Sequence, residues 1–150
     1  LHVTPFNMPL PESYCRRSAG LCRASLENSF RLFFSSPSAA SSNVRAAVEA
    51  MLNDLNVNRY RLVNGKRRII NLHQRIDLLP AKYDELKDML MAVKWLGNAG
   101  SHQGGELTTD DVMDAYEIIE HVLSEVYEEK TKKLKAIAKK VNKAKGRPKK

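Results

Sequence analysis

The residues best suited to chemistry lie in one short stretch: Lys94-Trp95-Leu96-Gly97-Asn98-Ala99-Gly100-Ser101-His102. An imidazole titrates at about 6.5, so a histidine can both take and give a proton near neutral pH. His102 would then serve as general acid or base for attack of an RNA 2′-hydroxyl on its own phosphate. Asn98 would orient His102 or the phosphate, and Lys94 with Arg45 would supply positive charge. Gly97, Gly100 and Ser101 lie in a turn that leads into a helix N-terminus, where exposed amides favour an anion. The same residues also have a purely architectural use. Gly97 falls where a helix needs a left-handed C-cap, Asn98 can bond loose carbonyls, and His102 can cap or pack across the turn. Glu49 then pairs with Arg45 or reaches the turn's amides. Four of the chain's seven glycines fall between 97 and 105, and so much backbone freedom needs side chains to fix it.

The elements that position this turn read as helices. Residues 1–11 carry three prolines and form an extended lead-in. From Glu12 to Phe34, Leu21, Ser25, Leu26, Phe30, Phe33 and Phe34 follow helical spacing. Ser36-Pro37 is a helix start, and Val44, Ala47, Val48, Met51, Leu52 and Leu55 form the buried stripe of that helix. Residues 56–68 read as a loop or short hairpin around Asn64-Gly65, with five basic residues. A short helix follows, with Asn71 and Gln74 spaced as a capping box and Leu72, Ile76 and Leu79 on its apolar side. Pro80 opens the next helix, predicted to reach Leu96, with Tyr83, Leu86, Leu90 and Val93 inward and Trp95 in the core. Thr108, with Asp111 three later, starts the last helix. Its stripe is Val112, Ala115, Tyr116, Ile119, Val122, Leu123 and Val126. The expected fold is all-α: an antiparallel bundle of about five helices spanning 12–128, with a basic helical or disordered tail at 129–150.

Charge divides the chain at the same place. Residues 130–150 hold ten Lys, one Arg and no acid, or +11, and residues 1–129 hold fourteen basic and seventeen acidic residues, or −3, which together give the net +8. A basic block of this kind suits a polyanion, so nucleic acid, RNA or DNA, is the expected partner of the tail. Its end, Lys145-Gly146-Arg147-Pro148-Lys149-Lys150, resembles an AT-hook, in which an extended Arg lies in a narrow minor groove. Nonspecific phosphate attraction is the simpler use of the same charges. The apolar runs are too short for a membrane span. The start lacks the layout of a secretion signal; it also lacks an initiator Met, so an upstream segment is expected. Cys15 and Cys22 lie two helical turns apart, roughly 10 Å, too far for a disulfide, and reduced thiols fit a cytoplasmic protein. His73, His121 and the two cysteines have no metal-ligand spacing, and no cofactor motif is present.

The segment from Lys94 to His102, followed by Thr108-Thr109-Asp110-Asp111, resembles the signature of the domain-of-unknown-function family 4145. Arg45 and Glu49 in Val44-Arg45-Ala46-Ala47-Val48-Glu49 match its earlier helix, and the likeness covers roughly residues 8 to 128. That family is similar to the HEPN helical domains, which implies an HEPN-like bundle. Many of those domains are metal-independent ribonucleases, and others are noncatalytic binding or dimer modules. In the active motif an Arg precedes the polar residue and the His. Here Asn98 and His102 match, but Gly97 stands at the Arg position and Lys94 lies a turn earlier. An ammonium lacks the bidentate fork of a guanidinium. The preferred expectation is a noncatalytic HEPN-like module tethered to nucleic acid by its tail, accessory to defence or nucleic-acid processing. The rival is a homodimeric endoribonuclease using His102, and a third reading is a protein-interaction domain.

Overall fold

A computed structural model of the chain describes residues 20–99 and 106–147. Five α-helices and one β-hairpin make up the described part: α1 Gly20–Leu32, α2 Pro37–Asp54, β1 Tyr60–Val63, β2 Lys66–Ile69, α3 Leu72–Asp77, α4 Asp84–Ala99 and α5 Thr109–Ala144. The class is all-α, as the periodicity implies. The lead-in, Cys15, and residues 100–105 and 148–150 lie outside the described residues.

Local chemistry sets the helix ends. Ser36 accepts from the Ala39 amide, and Pro37 fills the first helical position of α2. Asn71 caps α3 by accepting from the Gln74 amide at 2.9 Å. Thr108 and Asp111 complete a reciprocal capping box on α5, and those bonds hold the Asp111 carboxyl below its ordinary range. Pro80 caps a 3-10 turn, Ala81–Tyr83, before α4 begins, so the proline opens the segment one short turn ahead of the α-helix.

α2 lies at the centre, packed by α1, α4 and α5. Ala40, Ser41, Val44, Ala47, Val48, Met51 and Leu52 are all buried. The expected stripes of α3 and α5 are buried as well. α1 differs. Its inward residues are Cys22, Leu26 and Ser29, followed by Phe33, whereas Leu21 is 72% and Phe34 63% exposed. The reason is a polar tie: the Ser29 hydroxyl donates to Ala40 O at 2.6 Å and lies 2.8 Å from the Tyr116 hydroxyl. Because Ser29 spends its proton on the carbonyl, Tyr116 is the donor to Ser29. One buried serine therefore joins α1, α2 and α5. A second tie links the Tyr127 hydroxyl to Asp54 Oδ2 at 2.9 Å, across 73 residues.

The Cys22 thiol is fully buried near this second tie. Burial, reinforced by the Asp54 charge, pushes it from an ordinary 9.0 up to about 12, and burial also raises the Tyr127 phenol. Both groups keep their protons in the folded chain at a pH where the unfolded chain releases them. Stability from Cys22 is full below about 9 and falls as pH rises from there towards about 12, at up to about 1.4 kcal/mol per pH unit. The expected result is a melting temperature that drops steeply above pH 9. Cys22→Ala will melt lower at neutral pH but lose less per pH unit on the alkaline side; equal alkaline slopes would contradict this account.

A basic cleft between α2, α3 and α4

The hairpin between α2 and α3 is placed by its turn. Asn64 and Gly65 have φ of 52° and 72°, the left-handed pair that a tight type I′ hairpin requires. Behind it, Arg75 is buried, and its Nη2 donates to Asn53 Oδ1 at 2.7 Å and to Val57 O at 3.2 Å. This bond set fixes the path from α2 through the hairpin into α3, and so places His73 opposite the end of α4.

α4 continues through Gly97 and Asn98 to Ala99. Gly97 is therefore no left-handed C-cap; it is a buried residue inside the helix. A Cβ there would lie 2.8 Å from Arg45 Cβ, 3.2 Å from Arg45 Cδ and 3.4 Å from Ser41 O. Gly97 lets α4 cross α2 with backbone nearly touching side-chain stem. That contact guides the Arg45 side chain along the helix crossing. Its Nε is buried without a partner, and its Nη2 stands 3.4 Å from Glu49 Oε1. Arg45 and Glu49 thus pair as their four-residue spacing suggests.

Arg45, Lys94 and Asn98 line one open cleft of about 580 Å³, together with Asn71, His73 and Gln74. Lys94 Nζ is 3.4 Å from His73 Nδ1, and His73 Nε2 is 3.6 Å from Asp77 Oδ2. The Lys94 ammonium can donate to Nδ1, while the Asp77 carboxylate stands on the Nε2 side of the ring, beyond hydrogen-bond distance. Lys94 Nζ also lies 3.4 Å above the centre of the Trp95 ring, a cation–π contact. Trp95 is 59% exposed; the expectation of a core tryptophan is corrected, because α4 turns its Leu90, Val93 and Gly97 face inward instead. Two cations, an imidazole and several amides line this cleft beside one carboxylate, Asp77, so its balance of charge is positive and suits an anion on the Arg45 and Lys94 side. His73 is the residue that sequence reading missed as part of this group. Its signal was only a histidine one residue into a capped helix.

His102, Gly100 and Ser101 lie outside the described residues. Lys145 ends α5 in a left-handed conformation, with Gly146 and Arg147 just beyond, while Pro148, Lys149 and Lys150 lie outside the described residues. Among the described residues no three His, Cys, Asp or Glu side chains gather to hold a metal ion, and no helix is long and apolar enough to cross a membrane.

Because the atom nearest a Cβ at position 97 is Arg45 Cβ rather than a flexible tip, the helices themselves must part to admit a methyl group. Gly97→Ala should lower unfolding free energy by about 1–3 kcal/mol in denaturant titration, despite the higher helix propensity of alanine. An unchanged or raised stability would mean that the crossing is looser than these distances imply.

No curated protein matches the chain, and no solved structure does. A family model does, over residues 17–144, which takes in all five helices, the hairpin and the cleft. The chain belongs to the family described as a domain of unknown function, DUF4145.

Proposed function

We propose that this chain is a noncatalytic, HEPN-like helical module that tethers to nucleic acid through the lysine-rich half of α5, as an accessory to defence or nucleic-acid processing. The observation that carries this reading is the continuity of α5. The helix is seated on the body as far as Tyr127 and runs on to Ala144. From 132 to 144 every residue is exposed, and this overhang of thirteen residues is about 20 Å long. Helical geometry puts Lys132, Lys135, Lys139 and Lys143 on one face and Leu134, Ile137 and Val141 on the other. No acidic residue follows Glu129, so the lysine face presents a continuous positive field to phosphates. The Gly-Arg-Pro segment starts where the helix stops, which suits an extended Arg147 reaching into a minor groove.

Affinity for a duplex and for a single strand, measured by fluorescence anisotropy over a salt series, tests this. Changing Lys132, Lys135, Lys139 and Lys143 to Gln should weaken binding. It should also reduce the slope of log affinity against log salt by about 0.7–0.9 for each phosphate no longer neutralised. Unaltered affinity and slope would overturn the tethering role.

A second reading is favoured by the convergence of Arg45, Lys94, Asn98 and His73 on one cleft: a metal-independent endoribonuclease, working as a homodimer, with His102 as general acid or base. The cleft would hold the phosphate, and His73 would add a second imidazole. In EDTA, the purified chain would then cleave RNA to 2′,3′-cyclic phosphate ends, and His102→Ala would abolish cleavage. Absence of cleavage by the folded parent chain removes this reading and leaves the tether.

A further inference from the structure

The β-hairpin carries a charge pattern that the fold itself does not need. β1 and β2 pair with Arg61 opposite Arg68 and Val63 opposite Lys66 on one face, and with Tyr60 opposite Ile69 and Leu62 opposite Arg67 on the other. All eight strand residues are exposed, and neither strand packs appreciably on a helix. Like charges directly opposed across two strands are destabilising. No ion pair among the described residues links Arg59, Arg61, Lys66, Arg67 or Arg68 to a carboxylate. At the root of the hairpin the buried Arg75 bonds, among the described residues, the neutral oxygens of Asn53 and Val57. Burial and the nearby Arg59 charge hold its guanidinium below the ordinary range. A concentrated positive charge, built with mutual repulsion and without acids, calls for an external anion.

The second observation is the cleft at that root. It has a volume of about 760 Å³ and lies between the end of α2 and the hairpin, with Asn53, Asn56, Asn58, Arg59, Tyr60 and Arg67 among its walls and no carboxylate. The Arg67 guanidinium lies over a face of the Tyr60 ring, 4.2 Å from its centre, and that of Arg59 is 6.0 Å away, so a base stacking on Tyr60 would take the place of a guanidinium released to a phosphate. Asn53 spends its carbonyl oxygen on Arg75 and keeps its amide hydrogens to offer. Carboxamides read the edges of bases, an aromatic ring takes a base face, and guanidinium groups take phosphates. A duplex hides its base faces, whereas an unpaired strand offers them.

We infer that the hairpin and the cleft at its root form a binding site for single-stranded nucleic acid, with an unpaired base against Tyr60 and the asparagine amides and the flanking phosphates on Arg59, Arg61 and Arg67. This surface is separate from the lysine helix, and the site stands whether or not that helix binds anything. An anionic lipid surface or an acidic peptide would use the arginines but would have no use for the ring and the amides.

The test uses the full chain, a ten-nucleotide single-stranded RNA, and a strand of equal length and charge lacking its bases. The parent should prefer the strand with bases by roughly tenfold, the scale of one base stacked on an aromatic ring. Tyr60→Ala should erase that preference, Tyr60→Phe should keep it, and Arg61→Ala with Arg67→Ala should weaken binding of both strands. Melting curves confirm that each variant is folded. The lysine-face variant should weaken both strands alike and keep the preference, and if it changes nothing, the tether fails while this site stands. Equal binding of the two strands by the parent would overturn the inference. So would parent-like behaviour of Tyr60→Ala, or arginine variants that bind both strands as the parent does.

Discussion

The structure depends on how closely its helices can approach α2. Three helices surround it, and a helix packed on several sides at once must be thin. The chain meets this with Ala40, Ser41, Ala47 and Ala50 along α2 and with Gly97 on α4, where even one methyl group would meet Arg45. The close crossing has a directional effect. It presses α4 against the stem of Arg45, carries α4 through Asn98, and so sets Arg45, Lys94 and Asn98 beside the short helix that bears His73. Packing in the core thereby assembles the rim of the cleft.

Polar groups inside the bundle and charged groups outside it follow opposite rules. Ser29, Tyr116, Asp54 and Tyr127 each find a hydrogen-bonding partner across a helix boundary, as most buried polar groups do. These ties cost desolvation, yet they select one register for α1 and α5 on α2. The basic residues of the hairpin and of the α5 overhang instead stand on two projections that contribute little to the core. On these two projections the positive charge meets water, and no acid shares them.

Much of the fold is legible in the sequence because its signals are local. The Ser36-Pro37 start, the Thr108 to Asp111 box, the Asn64-Gly65 turn and the α5 stripe all rest on contacts within a few residues. What is not legible rests on distant partners. The expected stripe of α1 is buried at Leu26 and Phe33 and half-buried at Phe30, but the face is rotated to take in Cys22 and Ser29 and to leave Leu21 and Phe34 exposed, since Ser29 answers to Tyr116, 87 residues away. Gly97 in a glycine-rich segment reads as a helix end, because its actual reason is a neighbour on another helix. Trp95 reads as core by size, although Lys94 covers only one side of it. In the cleft, the sequence marks Arg45, Lys94 and Asn98 as a group, whereas nothing local to His73 ties it to them.

The continuation of α5 past the body has a mechanical meaning. A charged coil of the same composition would wrap around whatever it met and take its shape from it. A helix cannot do so. It offers lysines at roughly one per turn, about 5.4 Å apart, on one side of a straight rod whose direction is inherited from the part seated on α2 and α4. Under the proposed tether, a polyanion lying along that side would be aligned with the bundle as well as held near it, and the body would face it at a set angle.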